Sequence, residues 1–511
     1  MQQFVAPAID YAALLPIIVV LGAGVVAILV DAFAPARLRA RLDLAVSVLA
    51  LVAALVLLLV RAGTSVVTAG GAVVVDGPAL LAQAAIVVFT LASVVLYTEK
   101  RLDPAGDSFA PAGASVPGSE LERVLTLQRT QQTEVYALTL FAAGGMMTMV
   151  SANDLLTMFV ALEVLSLPLY LLSSLARRRR LLSQESGLKY FLLGAFASAF
   201  FLYGTALVYG ATGSLDLAGI DAAVSANVGV EPLLLVGMGL VAVGLLFKIS
   251  AVPFQFWTPD VYQGAPTVVT GFMAAATKVA AFVALMRVLY VGLGGLSADW
   301  TVLLSVVAGI TMLVGSVLAL SQTDIKRMLA YSSIAHAGFL LVGLVAAGPA
   351  GTASALFYLV AYGVATIGAF AVVTLVRDAG GEATHLSAWA GLGRRSPLVA
   401  GAFSLFLLSF AGIPLTAGFI AKLSVFAAAF EGGQVLLVLV GLLASAIAAF
   451  FYIRVIVLMF FSDPAPDGPT VGVPSVGTAV VVAVAATLTV LLGVLPGSLL
   501  ELAQQASEFV R

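Results

Sequence analysis

The chain has 511 residues, of which 61% are hydrophobic and 10% are charged, and its mean hydropathy is +1.12. Soluble domains carry about 25% charged residues, so this composition excludes a soluble globular protein and indicates an integral membrane protein. The net charge of −2 gives no reason to expect a nucleic-acid partner, and because iron–sulfur clusters need thiolates, a chain without cysteine is expected to carry no electrons itself.

Apolar stretches long enough to cross a bilayer recur along the whole chain. A membrane helix needs about 17 to 25 apolar residues. The first such stretch follows MQQFVAPAID, which contains Asp10 and lacks the basic region of a secretory signal, so we expect a retained helix. The predicted fold is an all-α polytopic membrane protein with fourteen transmembrane helices at 11–30, 44–60, 79–98, 135–151, 153–175, 188–210, 233–258, 266–293, 301–320, 328–347, 353–376, 398–428, 434–461 and 475–497.

The basic residues predict the orientation of these helices, because Lys and Arg favour cytoplasmic loops. If the N-terminus lies outside, the outside loops contain only Arg61 and Arg511. Both termini are therefore predicted outside. The inside loops then contain Arg37, Arg39, Arg41, Lys100, Arg101, Arg123, Arg129, Arg177, Arg178, Arg179, Arg180, Lys326, Arg327, Arg377, Arg394 and Arg395.

The pattern divides the chain into five predicted parts. Residues 1–98 form an N-terminal three-helix segment, and residues 475–511 form a C-terminal helix and tail. Two repeats of five helices are expected at 135–293 and 301–461. Residues 99–134, which include LDPAGDSFAPAGASVPGSE, are rich in Pro, Gly, Ala and Ser and predict a flexible cytoplasmic loop.

The seventh and twelfth spans contain helix-breaking residues. The seventh contains FKISAVPFQFWTPD, in which Pro253 removes a helical hydrogen bond and Pro259 is expected to end the span. The twelfth contains LSFAGIPLTAGFIAKL, which Gly412, Pro414 and Gly418 interrupt. An odd period of five helices reverses membrane orientation, so helices 4–8 and 9–13 are predicted to be inverted repeats. Matching breaks in inverted halves point to a transport site; the alternative is that these residues merely kink their helices.

Four ionisable side chains are predicted to lie deep within apolar spans: Glu163, Lys248, Lys278 and Lys422. A charge at membrane depth costs about 2.5 to 3.5 kcal/mol even on lenient scales, and such residues usually mark ion or proton paths. Lys248 precedes one helix break, and Lys422 follows the other. Since burial disfavours the charged form, a lysine and a carboxylate can exchange a proton by changing partners. For Glu163 the alternative is a purely structural ion pair.

Other polar residues within the spans are open to two interpretations. His336, in LAYSSIAHAGFLL, can relay protons because imidazole titrates near neutral pH, or it can be a hydrogen-bonded structural residue. Lys189 begins the sixth span on the inner side and can either admit protons or extend to the membrane surface. Arg287 and Arg454 lie near span ends, and we expect both to extend to the surface.

No motif predicts an energy source within the chain. The sequence has no Walker loop, no serine or cysteine nucleophile motif and no close Cys/His metal cluster. We therefore expect no cofactor and no metal in this chain, and energy that comes from an ion gradient or a partner.

Four stretches of the chain are specific enough to compare with known families: SGLKYFLLGAFASAFFLYG, FKISAVPFQFWTPDVYQGAPTVVTGFMAAATKVAAF, SQTDIKRMLAYSSIAHAGF and AGIPLTAGFIAKL. They resemble the proton-translocating, antiporter-like membrane subunits of respiratory complex I, and the resemblance covers most of residues 135–460. Within that family, TPDVYQGAPT and LKYFLLGA resemble the N type. The M type typically has a glutamate at the position of Lys422, and the L type adds a long lateral helix.

The resemblance implies a fold, a set of partners and a set of residue roles. It implies a fourteen-helix core with inverted repeats in a subunit of bacterial NADH:quinone oxidoreductase, in the inner (plasma) membrane among other membrane subunits and lipid. NADH, FMN, iron–sulfur clusters and quinone would then be bound by partner subunits, whose electron transfer drives proton movement. The residues that match the proton-translocating positions of the family are Glu163, Lys248, Lys278 and Lys422, with His336 and Lys189 on the same polar axis.

Two other functions agree with the same pattern. One is a subunit of a multisubunit cation/proton antiporter, whose large subunits share this core. The other is a structural membrane subunit that only transmits motion. Co-purification with flavin and iron–sulfur proteins would favour the oxidoreductase, and sodium-driven proton exchange without redox centres would favour the antiporter.

Overall fold

The computed structural model describes residues 9–103, 106–113, 115–127, 131–226, 232–378, 380–464 and 468–510. Arg129 and Arg511, two of the basic residues that predict the orientation, lie outside the described residues. Thirteen helices of the described chain are long and apolar enough to cross a membrane: Tyr11–Phe33, Ala36–Val60, Gly77–Tyr97, Glu134–Ser151, Leu155–Ser173, Arg180–Thr212, Pro232–Ile249, Thr267–Gly292, Gly294–Leu320, Ile325–Val345, Gly348–Leu375, Val435–Phe461 and Val476–Val494.

One further span consists of two shorter helices, Pro397–Ala411 and Ala417–Glu431. Counted as the twelfth in chain order, this pair completes the fourteen predicted spans, and the all-α polytopic fold is confirmed. Short elements lie outside these continuous helices: helices Glu120–Leu127, Leu217–Ala226, Trp257–Gly264, Leu392–Arg395 and Gly497–Gln505, and strands Val66–Thr68, Val73–Val75, Val376–Asp378, Gly381–Glu382 and Thr470–Val471.

Acidic and hydroxyl side chains mark where several spans begin. The first four backbone N–H groups of a helix lack partners within the helix, and a side-chain oxygen at the N-cap can accept one of them. Asp10, Asp76, Asp154, Asp324 and Ser475 each do so, at the first, third, fifth, tenth and fourteenth spans. Each of these helix starts is therefore determined locally, by a capping side chain followed by apolar residues that continue the helix.

The seventh span is broken, as predicted, but Pro259 does not end it. The helix Pro232–Ile249 stops before Pro253, and the chain becomes helical again over Trp257–Gly264. Pro259 lies in the first turn of this second half, where the missing N–H of proline costs nothing. The prediction for Pro259 was therefore wrong. Trp257 Nε1 donates a hydrogen bond of 3.0 Å to the Phe247 carbonyl, which satisfies one backbone group freed by the break.

The twelfth span breaks between Ala411 and Ala417. Gly412 has a φ of +81°, a left-handed conformation that glycine adopts without steric cost and that commonly ends a helix. The second half begins after Thr416, which has an extended backbone. The break leaves carbonyl groups at the end of the first half available to side chains.

Matching backbone contacts occur in the two predicted repeats. At the start of the fifth span, Leu155 N donates to Leu215 O, and at the start of the tenth span Ile325 N donates to Thr384 O. Each of these bonds is paired with a returning bond between neighbouring residues, Leu217 N to Asn153 O and Leu386 N to Thr323 O. The two bridges stand five spans apart, which is the spacing expected of the predicted repeats.

Helix crossings also match between the repeats. A Cβ atom on Gly145 would lie 2.5 Å from Leu165 N, and a Cβ atom on Gly315 would lie 2.5 Å from Ala335 N. Glycine therefore lets the fourth and fifth spans, and likewise the ninth and tenth, approach until their backbones touch. These equal distances support the predicted division into two units of five helices.

Three spans form the interior of the bundle. In the most apolar stretch of the eighth, tenth and eleventh spans 100%, 94% and 94% of the residues are buried, against 22% in the fourteenth. The eighth span contains π-helical turns at Met273–Thr277 and Val288–Gly292. Polar side chains on these interior spans are shielded from lipid, so this region can hold charged groups.

Arg287 is buried and does not extend to the membrane surface, so that prediction was wrong. Its guanidinium is 0% exposed and makes two hydrogen bonds to the Asp76 carboxylate, at 2.7 and 2.9 Å. The ring of Phe509 lies 4.9 Å from the guanidinium carbon. Arg454 is exposed, as predicted, and donates to the Leu320 carbonyl.

The segment after the third span contacts the helices on their predicted inner side. The Glu99 carboxylate accepts hydrogen bonds of 2.7 Å from both Ser475 N and Thr478 Oγ1. Burial opposes its charge, but these bonds and one from the Arg101 N–H outweigh burial and lower the pKa of Glu99. Asp103 binds Arg178 and Arg377 in ion pairs of 3.0 and 2.8 Å. These contacts tie part of residues 99–134, which the composition predicts to be a flexible loop, to the helical bundle.

Candidate functional site

Three lysines lie inside the bundle, each with an aromatic ring near its ammonium group. Lys248, Lys278 and Lys422 are 4%, 2% and 5% exposed. The Nζ atoms lie 4.6 to 5.7 Å from ring centroids. A cation over an aromatic face is stabilised by about 0.5 to 2 kcal/mol, which offsets part of the cost of burying the charge. The rings belong to Tyr170 and Tyr190 for Lys248, Tyr362 for Lys278, and Phe339 for Lys422.

Lys248 lies in the last turn of the first half of the seventh span, near Glu163. Glu163 acts electrostatically on the Lys248 ammonium, but the two groups make no direct ion pair. Neither Lys248 Nζ nor Glu163 Oε1 has a hydrogen-bond partner among the described residues. A buried charge without such a partner is costly. The structure therefore brings the two predicted residues near each other without a direct ion pair.

Lys278 follows directly on a π-helical turn of the eighth span. Such turns are rare and often occur at functional sites, because the inserted residue redirects the side chains that follow. Lys278 Nζ donates a hydrogen bond of 2.6 Å to the Ser333 carbonyl on the tenth span. The Ser333 hydroxyl lies 3.3 Å from the Tyr262 hydroxyl.

Lys422 lies in the second half of the twelfth span and binds the end of the first half. Its Nζ donates to the Ala411 carbonyl at 3.0 Å and to Ser445 Oγ at 2.8 Å. Ala411 is the last residue before the break, so this carbonyl is one that the break has freed. The broken helix thus supplies an acceptor for a buried cation, as broken membrane helices do at ion sites.

His336 lies between the surroundings of Lys278 and Lys422. Its ring centroid is 4.7 Å from that of Tyr362, which also contacts Lys278, and 5.8 Å from that of Phe339, which also contacts Lys422. Both ring nitrogens face hydroxyl groups, Nδ1 that of Tyr358 at 2.8 Å and Nε2 that of Tyr452 at 3.4 Å. This arrangement suits proton transfer through the ring and also suits a structural residue.

Aromatic side chains join Lys248 to Lys278. The ring of Tyr190, beside Lys248, stacks on Trp257 with 4.6 Å between centroids, and Trp257 meets the edge of Tyr262 at 6.5 Å. Tyr262 then reaches Ser333 and so Lys278. The lysine row, as we call it below, comprises Glu163, Lys248, Lys278, His336 and Lys422 together with the aromatic and hydroxyl groups between them.

Lys189 does not join the lysine row. Its side chain is 41% exposed and makes ion pairs of 2.6 Å with Glu185 and 2.7 Å with Asp260. Asp260 also pairs with Arg327 at 2.6 Å. This carboxylate therefore links the sixth, seventh and tenth spans at the predicted inner side.

The tyrosines of the lysine row were missed by sequence reasoning. Tyrosine in membrane proteins concentrates at the interface with water, so Tyr362 in the middle of the eleventh span is a signal that could have been used. Asp260 gave no such signal, because single polar residues near span ends are common. Ser445 gave none either, because serine is common within membrane helices. Within the described part of the chain, no three His, Asp or Glu side chains form a group that could hold a metal ion.

Comparisons with known proteins cover this whole region. The family described as NADH:quinone oxidoreductase/Mrp antiporter, TM, matches residues 152–448, a range that contains the five titratable residues of the lysine row. A curated NADH-quinone oxidoreductase subunit N from Rhodococcus opacus is 57% identical over 99% of this chain and 97% of its own length.

Solved structures agree with this match. A chain of respiratory complex I from Thermus thermophilus is 37% identical, covers 96% of this chain and 99% of its own length, and superposes with a TM-score of 0.77. A chain of the Mrp complex from Dietzia sp. has a TM-score of 0.79 at 23% identity, with 96% and 97% of the two chains covered, and so shares the fold. Both neighbours are chains of multisubunit membrane complexes.

Proposed function

Because the chain belongs to the NADH:quinone oxidoreductase/Mrp antiporter family of membrane proteins, we propose that it is a proton-translocating subunit of an NADH:quinone oxidoreductase. The observation that carries this proposal is the lysine row, which places three buried lysines and a glutamate in one continuous line of polar and aromatic groups. A chain that served only as a scaffold would gain nothing from this costly burial.

Proton transfer begins, in this proposal, at Glu163 and Lys248. When the pair is open, as in this structure, no described residue accepts a hydrogen bond from the Lys248 ammonium. Aromatic rings and the separated Glu163 carboxylate stabilise its charge, and they do so less than a closed pair would. When the pair closes, the carboxylate stabilises the ammonium and the lysine takes up a proton. Moving one charge against 100 mV takes about 2.3 kcal/mol. One pKa unit corresponds to about 1.36 kcal/mol, so opening and closing the pair supplies this energy if it changes the proton affinity of the lysine by just under two pKa units.

The proton then passes along the interior to Lys278 and Lys422. Ser333 and Tyr262 lie at Lys278, and His336 with its two tyrosine hydroxyls bridges toward Lys422. The Ala411 carbonyl and Ser445 hydroxyl hold the Lys422 ammonium. Loss of either the helix break or these acceptors would disfavour the charged state of Lys422.

The partners and the surroundings follow from the same proposal. The chain is part of a hetero-oligomeric oxidoreductase complex in the bacterial plasma membrane, with both termini outside. NADH, FMN, iron–sulfur clusters and quinone are bound by partner subunits, which fits a chain without cysteine. The curated relative at 57% identity bears an oxidoreductase name, whereas the Mrp chain is only 23% identical, and this difference favours the oxidoreductase over the antiporter.

The proposal is tested by Glu163→Gln and Lys248→Ala in the intact complex. Proton pumping per electron, measured together with NADH oxidation in membrane vesicles, should fall in both variants while the complex assembles. Arg454→Gln, an exposed change on the thirteenth span, is the matched control and should pump normally. Unchanged pumping in both Glu163→Gln and Lys248→Ala would show that the chain is a structural subunit that only transmits motion. Sodium-driven proton exchange by a purified complex without flavin would instead establish the antiporter.

A further inference from the structure

A second group of buried polar atoms lies among the N-terminal helices, apart from the lysine row. Asp43, in the second span, is 0% exposed, and no described residue donates a hydrogen bond to either of its carboxyl oxygens. Ser47, one turn further along the same buried face, is also 0% exposed, and its hydroxyl has no partner in the described chain. Buried polar groups in proteins are nearly always hydrogen-bonded, so two on one helix face indicate a ligand or a proton.

A second carboxyl group lies beside Asp43. Asp31, near the end of the first span, is close enough to interact with Asp43 directly. The Asp31 carboxylate itself accepts a hydrogen bond from Thr133 Oγ1. Two carboxylates in contact cannot both be ionised in a buried site without strong repulsion.

The other groups around Asp43 do not neutralise the pair. Arg39, on the same helix, is near Asp43, but its Nε donates to the Ala34 carbonyl at 2.9 Å. The fourth span contributes the Tyr136 phenol, whose ring meets that of Tyr97 on the third span, and the third span contains no charged residue. One cation near two carboxylates leaves one negative charge without compensation.

A single proton accounts for the two neighbouring carboxyl groups, without involving the Ser47 hydroxyl. A protonated carboxyl donates one hydrogen bond, and an ionised carboxyl next to it is the strongest acceptor available. We propose that Asp31 and Asp43 share one proton and form a proton-binding site in the N-terminal helices, separate from the lysine row. Because Thr133 binds Asp31, the occupied site also joins the first and second spans to the chain that leads into the fourth.

Infrared spectroscopy of the intact complex tests the proposal, because a protonated carboxyl has a C=O stretch that a carboxylate lacks. In the spectrum of wild type minus Asp43→Asn at neutral pH, we expect one protonated-carboxyl band that the variant has lost. Asn mimics the protonated acid in shape, so this variant should assemble. Ser47→Ala is the matched control on the same helix face and should keep the band.

Asp31→Asn is a second, independent variant. Since the acceptor of the shared proton changes from a carboxylate to an amide, the band should shift, and an unshifted band would show that Asp43 holds its proton alone. Identical spectra for wild type and Asp43→Asn would overturn the site. Replacing Na⁺ by choline should change nothing; a band that appears only without Na⁺ would show that a sodium ion occupies the pair. None of these measurements reads proton pumping, so the inference stands or falls separately from the proposed function.

Discussion

The ammonium group of Lys422 donates a hydrogen bond of 3.0 Å to the carbonyl of Ala411, across the break of its own span. The two residues lie in different halves of one broken helix, so the chain carries both the buried cation and the backbone group that accepts from it. Ser445, from the thirteenth span, is the second acceptor at 2.8 Å. The break is therefore part of the chemistry of this lysine.

Ser445→Ala should lower coupled proton pumping. A hydrogen bond to a charged group is worth about 1.5 to 3 kcal/mol, so we expect pumping to fall by roughly tenfold or more, with assembly unchanged. The measurement is the rate of proton uptake into or release from vesicles per NADH oxidised. Ser424→Ala, in the same helix as Lys422, removes a hydroxyl that binds only the Ile420 carbonyl and is the matched control. Equal pumping in the two variants would contradict this role for Ser445.

The ring of Tyr170, rather than its hydroxyl, should matter to Lys248. The Lys248 Nζ lies 5.3 Å from this ring centroid, and the Tyr170 hydroxyl has no hydrogen-bond partner in the described chain. Tyr170→Phe should therefore pump like the wild type, whereas Tyr170→Leu should lose about 0.5 to 2 kcal/mol of cation stabilisation and pump several-fold more slowly. If Phe and Leu behave alike, the ring does not stabilise the lysine.

His336→Phe separates proton relay from a structural role. Phenylalanine keeps an aromatic ring among Tyr362, Phe339 and Phe410 but cannot carry a proton. A positioned acid or base contributes at least about 10²-fold to a rate. Because the neighbouring hydroxyl groups can supply part of this, we expect proton pumping to fall by at least about tenfold. Thermal stability of the complex should remain near that of the wild type. Normal pumping in this variant would favour the structural interpretation.

Breaking the ion pair of Arg287 and Asp76 should destabilise the subunit strongly. Removal of one partner from a buried pair costs about 3 to 5 kcal/mol, because the other charge remains buried alone. Asp76→Asn or Arg287→Met should therefore lower the yield of assembled complex and its unfolding temperature. The double variant Asp76→Asn with Arg287→Met should recover part of the loss. A double variant as unstable as the two single changes combined would argue against the pair.

Glu99 should make stability depend on pH in the acid range. Its pKa is lowered in the folded protein, so its contribution is fully present above the unfolded value of about 4.3 and is lost as the pH falls through the folded value. Glu99→Gln should reduce the unfolding temperature at pH 7 and narrow its difference from the wild type below about pH 4. Glu120 is exposed, so Glu120→Gln is the control and should unfold at the same temperature as the wild type at both pH values. A difference in unfolding temperature between Glu99→Gln and the wild type that stays constant from pH 7 to below pH 4 would contradict a lowered pKa of Glu99.

Sequence alone determined the spans, both helix breaks and the four charged residues deep within them. These features are local, because apolar length, Pro and Gly, and an N-cap aspartate act within one helix. The titratable residues of the lysine row, Glu163, Lys248, Lys278, His336 and Lys422, could likewise be named from their depth in apolar segments. Their surroundings could not, since a residue's depth says nothing about which side chains of other helices meet it.

Tertiary structure decided which groups meet. Arg287 lies near a span end and would have reached the surface had Asp76, far away in sequence, not been packed against it. Lys189 was expected on the same polar axis as the lysines, but its side chain pairs with Glu185 and Asp260 at the edge of the bundle. Whether a buried charge is paired, covered by a ring or left with a proton depends on helix packing. Helix packing is set by contacts between segments distant in sequence, which no local pattern contains.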